Sequence, residues 1–356
     1  MKAFGNIIKN RRVENSLTLS DLMKLTFIDT AILSKIEKGR RVATKEQVTL
    51  LIEALQLDKK QAITIWLSDK VLSELAYEEY GFEALKVAED QMRYTSQVKS
   101  TKKEVLSIHV QNILNEIDNL FKDWSSKKPL NDLQLRKMTE YFSTQYTYDS
   151  NQIEGNTLTF QETHLVVNEG LTISGKSVRE HLEAVNHNEA ISYLHEIATD
   201  SVIFSEKVVK DLHFLILNSI NRDYAGKYRD VPVRITGSEH VPCQPFLINK
   251  GMEDVFVFYE NNKDTMHPVI LAAEMHEQIV SIHPFLDGNG RTSRLVMNLM
   301  LLQAGYPITN IKGDMENRMK YYAALESCRK VDKSKFYLLV ADAVKFSLKE
   351  HLNMVG

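Results

Sequence analysis

Ser281-Ile-His-Pro-Phe-Leu-Asp-Gly-Asn-Gly-Arg-Thr-Ser-Arg294 is the stretch on which the reading of this chain turns. Gly288, Asn289 and Gly290 make a turn that opens a helix. The unpaired N–H groups of a first helical turn, at the positive end of the dipole, form an anion site. Arg291 and Arg294 stand three apart, on roughly one face of that helix, and two such guanidiniums can clamp phosphate oxygens bidentately. Asp287, beside the turn, can hold the Mg²⁺ that accompanies a polyphosphate. His283, with an ordinary pKa of about 6.5, can take a proton from a hydroxyl near neutral pH. Singly, these are a core histidine, a helix cap and a solvated arginine pair. Together they are base, metal ligand, phosphate cradle and charge clamp, which is what moving a phosphorus group from a nucleotide to a hydroxyl requires.

On either side the pattern is helical. Ile270, Ala273, His276 and Ile279 predict a helix that delivers His283, and Leu295, Met297, Leu299 and Met300 predict a buried helix after the turn. Between them, H-x-F-x-D-G-N-G-R-x-x-R, from His283 to Arg294, resembles the signature of the Fic family at every position. The resemblance implies transfer of AMP from ATP to a Ser, Thr or Tyr hydroxyl of a target protein. It implies His283 as base and Asp287 as the Mg²⁺ ligand. Gly288, Asn289 and Gly290 would stabilise developing charge through their backbone, with Arg291 and Arg294 on the outer phosphates. A related branch that phosphorylates carries an altered glycine segment, which this chain does not have.

Upstream, Asn131 is expected to cap a helix running to about Glu154 and ended by Gly155-Asn156. Ser150 and Glu154 are i, i+4 partners and face the same way. A glutamate at a helix C-terminus opposes the dipole there. The segment is similar to the Fic inhibitory motif, [S/T]-x-x-x-E-[G/N], here Ser150, Glu154 and Gly155. In that family the Glu pairs with the second signature arginine, here Arg294, and keeps the γ-phosphate out of its productive place. The implication is inhibition in cis by Glu154.

Ala225–Pro245 is rich in Gly and Pro, with a Val233-Arg-Ile235 alternation that suits a short β-hairpin. It resembles the Fic flap, which pins a target segment by strand-like backbone pairing; Val233, Ile235, Gly237 and His240 belong to it. Asn298 and Tyr322 match positions near the nucleotide in metazoan Fic proteins, Tyr322 at the adenine edge. Arg329 stands where those relatives have an adenine-reading Asn, so UTP or another nucleotide stays open.

The first 60 residues carry 12 Lys and Arg against 7 Asp and Glu, an excess of +5 in a chain of net charge −3. That asymmetry suggests a polyanionic partner. Short apolar repeats separated by tight breaks predict a helix-turn-helix bundle. Leu17-Thr-Leu-Ser-Asp-Leu22 and Ser34-Lys-Ile-Glu-Lys-Gly39 resemble the lambda-repressor-like (XRE) family. The resemblance implies a structural Arg12–Glu37 pair and a recognition helix. That helix would present Thr30, Ala31, Ser34 and Lys35 to double-stranded DNA, with Lys38 and Arg40 toward phosphate. Such domains read operators as dimers, which implies a homodimer; docking of a protein instead of DNA stays open.

The expected fold is therefore all-α: a helix-turn-helix bundle over residues 1–68, a helical spacer over 69–129, and a helical Fic core with a short β-hairpin flap over 130–345. The inhibitory helix falls near 140–155. Two cysteines, Cys243 and Cys328, make neither a disulfide scaffold nor a metal cluster and fit a reducing cytoplasm. No apolar run approaches a membrane span, so no membrane partner is expected. Two other uses of the same parts stay open: removal of AMP with Glu154 activating water, and nucleotide sensing by a transcriptional regulator.

Overall fold

Six helices follow one another in the first hundred residues: α1 (Ala3–Glu14), α2 (Leu19–Thr26), α3 (Thr30–Glu37), α4 (Lys45–Leu55), α5 (Lys59–Leu75) and α6 (Gly81–Lys99). Each start is written locally. Thr18 and Asp21 form a capping box on α2, Asp29 accepts from the Ala31 N–H, Thr44 and Gln47 box α4, and Asp58 caps α5. Ile8, Leu22, Leu33, Leu51, Leu55 and Trp66 close a core of their own. At its edge Arg12 grips Glu37 in a fork, Nε to Oε1 at 2.6 Å and Nη2 to Oε2 at 2.9 Å, and its Nη1 donates to the Leu17 carbonyl. That bidentate pair ties α1 to the end of α3. In the α2–α3 turn, Phe27 takes the left-handed conformation (φ 56°) with its ring 90% exposed.

The computed structural model describes residues 3–99, 106–199, 202–328 and 332–355. The chain divides into two compact units, Met1–Ser100 and Thr101–Gly356. The expected boundary at residue 68 falls inside α5. The reason is physical: Trp66 is buried and donates to the Ala43 carbonyl, and Asp69 accepts the open N–H groups of Ala3 and Phe4 at 2.9 and 2.8 Å. Asp69 thus caps α1 from a distance, and α5 cannot end before it.

The second unit holds α7 (Ile108–Ser126), α8 (Asp132–Ile153), α9 (Phe160–Asn168), α10 (Val178–Thr199) and α11 (Glu206–Leu217), then α12 (Ile248–Asn262), α13 (Pro268–Ile282), α14 (Asn289–Gln303), α15 (Met315–Cys328) and α16 (Ser334–Val355). At its centre α13 lies along α14, with α10 and α11 on α14, α16 on α13, and α7 on α16. α14 is buried all round: Leu295, Val296, Met297, Leu299, Met300 and Leu301 fill the core. A helix with no solvent face belongs in the middle of a bundle. Its first turns carry the buried polar side chains Asn289, Arg291, Thr292, Ser293 and Arg294. On α10, Ala190, Ile191, Leu194 and Ile197 pack into the core, while the buried polar residues Glu183, Asn186 and His187 lie nearer its N-terminal half.

The all-α expectation holds: among the described residues there are sixteen α-helices and no strand. The flap keeps a turn, where the Ser238 N–H donates to the Ile235 carbonyl, but its two arms form no ladder. Arg229 stands between them. Its Nη1 donates to the Val231 carbonyl and its Nη2 to the Cys243 carbonyl, so one side chain does the pairing that strands would have done. Among the described residues no helix is long and apolar enough to cross a membrane.

Candidate active site

The α13–α14 corner brings the signature together. α13 ends at His283, whose N–H caps the Ile279 carbonyl in a left-handed conformation (φ 54°, ψ 57°). Its Nδ1–H donates to the Val280 carbonyl at 3.2 Å, because a carbonyl can only accept. The ring lone pair is then on Nε2, the nitrogen of a base. Arg229 fixes the backbone behind it: the Arg229 Nε donates to the His283 carbonyl at 2.8 Å and its N–H to the Pro284 carbonyl at 2.9 Å.

Phe285 is fully buried and stacks on the His213 ring at 3.6 Å between centroids. His213 in turn donates through Nε2 to the Asp287 carbonyl at 3.0 Å, and its Nδ1 accepts from the Gly226 N–H at 2.9 Å. Asn289 closes the loop on itself, accepting from the Phe285 N–H and donating to the Phe285 carbonyl. Its side chain is therefore spent on the loop, and only its backbone is available to an anion. Gly288 makes the turn into α14 at φ 76°, a conformation a side chain would strain.

Two arginines point into the N-terminal end of α14, and both are buried. Arg291 lies 3.6 Å from Glu183 and 3.5 Å from Asp287, too long for hydrogen bonds, and its Nε and Nη1 have no hydrogen-bond partner among the described residues. A buried guanidinium with spare donors can take a further acceptor. Arg294, 1% exposed, has the opposite condition. Its Nε and Nη2 donate to the Ser150 hydroxyl and carbonyl at 3.1 and 2.9 Å, and Nη2 also to Glu154 Oε1 at 2.8 Å. Its Nη1 reaches the Tyr321 hydroxyl at 3.4 Å, and that hydroxyl meets His276 Nε2 at 2.9 Å.

Asn131 caps α8, and Glu154 is the residue that ends it. Gly155, at φ 100°, turns the chain away and leaves the Glu154 carboxylate over the start of α14. A Cβ on Gly290 would collide with that carboxylate. Glu154 thus lies against Gly290 and Arg294 at the start of α14. Asp149, one turn earlier, binds Asn310, Lys312 and the Gly313 N–H, and the Tyr322 hydroxyl donates to the Ile153 carbonyl at 2.9 Å.

Asp287 is half-exposed, and its carboxyl is held below the ordinary aspartate range. Burial works against the charge, but Arg291, the Gly288 N–H and Arg179 outweigh it. Asn298 is fully buried: it donates to the Thr309 and Arg294 carbonyls and accepts from the Thr309 N–H. No atom of its amide is left to read a base. Tyr322 is partly exposed at the edge, and Arg329 lies outside the described residues. In the flap, Val233 and Ile235 are half-buried, Gly237 is exposed at the turn (φ 79°), Ser238 donates to Glu326, and the His240 Nε2 donates to the Ser281 carbonyl.

Sequence reasoning missed Arg229, Arg179, Glu183 and His213. Arg229 is one cation in an aperiodic loop and gives no pattern to read. Arg179 and Glu183 have i, i+4 spacing, which reads as a solvated surface pair. In the first unit, Ala31, Lys35, Lys38 and Arg40 are exposed along α3 and the turn after it, while Thr30 and Ser34 are half-buried.

Residues 203–301 match the Fic/DOC family. Over 246 residues the chain is 33% identical to the protein adenylyltransferase Fic of Nematostella vectensis, a match covering 68% of this chain and 56% of that protein. It is 35% identical to the protein of the same name from Drosophila yakuba, covering 62% and 43%. The chain thus spans about half the length of the curated relatives it matches. Among solved structures, a Fic domain containing signaling protein from Bacteroides thetaiotaomicron superposes with a TM-score of 0.62 at 28% identity, covering 67% of this chain and 97% of that one.

Proposed function

We propose, from the premise that this chain carries a domain of the Fic/DOC family, that it transfers AMP from ATP to a hydroxyl of a target protein and is held off by its own Glu154. One observation carries the reading: two buried guanidiniums stand at the start of α14, and a carboxylate of the same chain lies against that end. With Glu154 on Arg294, the outer phosphate of a nucleotide meets a negative charge where it needs a positive one.

In the open state, His283 Nε2 takes the proton of a Ser, Thr or Tyr hydroxyl as its oxygen bonds to the α-phosphorus. The bond from that phosphorus to the bridging oxygen breaks, and pyrophosphate leaves toward Arg291, Arg294 and the first-turn N–H groups of α14. Asp287 fits Mg²⁺. Its carboxylate is ionised, half-exposed and beside the anion site, and a single protein carboxylate suits a cation that takes its other ligands from water and phosphate. Mg²⁺ bound there would supply charge neutralisation. The flap loop forms no strand of its own, and its backbone is assigned to pairing with a target segment, with Val233 and Ile235 gripping its side chains. Tyr322 is assigned to the edge of the base.

The test compares wild type, Glu154→Gly and His283→Ala/Glu154→Gly with Mg²⁺ and ATP labelled on the α-phosphate, scoring label on protein. Glu154→Gly should label itself or lysate proteins at least tenfold more than wild type. The double variant should lose labelling while still binding ATP. Equal labelling of wild type and Glu154→Gly would refute inhibition in cis, and labelling by the double variant would remove His283 from the chemistry.

For the first unit we propose DNA binding as a dimer. The support is the exposed cationic edge of Lys35, Lys38 and Arg40 on a capped short helix. Affinity for duplex DNA should fall steeply with salt and be lost in Lys35→Glu/Lys38→Glu. A shallow salt dependence unchanged by that variant would favour a protein partner.

A further inference from the structure

Both oxygens of Asp287 are already engaged. Oδ2 accepts from Arg179 Nη2 at 2.8 Å; Oδ1 accepts from the Gly288 N–H at 2.6 Å and lies 3.5 Å from Arg291. Arg179 stands on the first turn of α10, more than a hundred residues away in sequence. Its Nε also donates to Glu183 Oε1 at 3.0 Å, one turn along the same helix. The fold does not need the second bond: the Arg179 side chain is 58% exposed, and Glu183 by itself is an adequate partner.

A cation taking Oδ2 would approach to about 2.1 Å, inside the space a guanidinium hydrogen bond occupies. Two positive groups cannot share that oxygen without strong repulsion. Arg179 therefore has to leave, and its exposure and its bond to Glu183 allow it to do so without unfolding anything. We infer that Arg179 is a displaceable counter-ion of Asp287, which holds the carboxylate at the α14 corner in the closed state and competes with Mg²⁺ for it. Arg179 is a positioning residue in this role: it touches neither nucleotide nor target. The inference rests on the reading of Asp287 as the Mg²⁺ ligand.

Its consequence is a raised metal requirement, and Glu183 extends the connection. The Glu183 Oε2 accepts from Asn156 Nδ2 at 3.1 Å, two residues beyond Glu154, and its Oε1 is the atom 3.6 Å from Arg291. When Arg179 leaves Asp287 it stays on a carboxylate that faces both the inhibitory turn and the phosphate arginine.

The experiment is binding of a non-hydrolysable ATP analogue to full-length Glu154→Gly protein, followed by calorimetry as Mg²⁺ is varied. Arg179→Ala in that background should reach half-maximal binding at about three- to fivefold lower Mg²⁺, the range an exposed ion pair commands. Its analogue affinity at saturating Mg²⁺ should equal the parent's, and Arg179→Lys should restore most of the requirement. An unchanged or higher Mg²⁺ requirement in Arg179→Ala overturns the inference, as does weaker analogue binding at saturating Mg²⁺, which would put Arg179 on the phosphates. Asp287→Ala separates the two failures. If it leaves the Mg²⁺ dependence of the parent intact, the metal assignment itself fails and this inference with it. If it removes that dependence while Arg179→Ala does nothing, only the inference fails.

Discussion

His283 is held in a backbone conformation that costs a residue with a Cβ about 1–2 kcal/mol relative to the right-handed alternative. The cost is offset by a single side chain some fifty positions away. Arg229 donates to the carbonyls of His283, Val231 and Cys243 at 2.8, 2.8 and 2.6 Å, so His283 and both arms of the flap loop hang on one planar fork. A lysine ammonium at the end of a flexible stem cannot reproduce that geometry. Arg229→Lys should therefore lower AMP transfer by at least about tenfold in a Glu154→Gly background, and lower stability by about 1–3 kcal/mol through the carbonyls left unpaired. Kinetics and a denaturant titration check the two effects separately; full transfer with an unchanged midpoint would show that His283 holds its conformation unaided. The residue scale also marks the limit of legibility. His283, Asp287, Arg291 and Arg294 could be found because they lie in one linear pattern whose chemistry is joint. Arg229 could not, because its three acceptors are brought to it by the fold, and Asn298 could be named but not placed, because its buried bonds to Thr309 and Arg294 exist only in three dimensions.

At the scale of elements, what was legible is what is local. The expected Asn131 cap of α8 is present, and like the Thr44 cap of α4 it lies within three residues of the N–H it satisfies. The end of α8 was legible for the same reason: Glu154 and Gly155 adjoin, and the i, i+4 relation to Ser150 sets which way the carboxylate faces. Length and pairing were not. α5 runs on past residue 68 because Asp69 caps a helix that begins at Ala3, a bond invisible to any window of sequence. The Val233-Arg-Ile235 alternation fits a strand, yet alternation specifies which side chains share a face and not whether a partner strand exists. Here Arg229 donates to a carbonyl of each arm, and no ladder forms between them. On α10, Ala190, Ile191, Leu194 and Ile197 face the core as the apolar pattern requires, whereas burial of Glu183, Asn186 and His187 on the same helix has no apolar period to announce it.

Across the whole molecule, titratable groups are divided as unevenly as charge. All 11 histidines lie beyond residue 100, and the first unit has none. In the second unit burial pushes His213 and His351 down from 6.5 to about 4, and His187 and His276 lie well below 6.5 for the same reason. The sign is set by linkage. The folded form keeps these rings neutral, whereas the unfolded chain protonates them near 6.5, so stability is complete above that pH and is lost as pH falls toward 4. For His213 and His351 the loss is on the order of 3 kcal/mol each by pH 4. Two such terms consume much of the 5–15 kcal/mol (roughly) that a domain has. The second unit should therefore unfold in mild acid before the first. Each unit carries one tryptophan: Trp66 in the first core, and Trp124 edge-on to the His351 ring at 5.5 Å. A Trp66→Phe protein should show its fluorescence transition between pH 6 and 4, roughly the window set by these shifts. A Trp124→Phe protein, reporting from Trp66, should hold its signal until lower pH. Coincident transitions would mean that the buried histidines do not govern acid unfolding, and that the two units lose structure together.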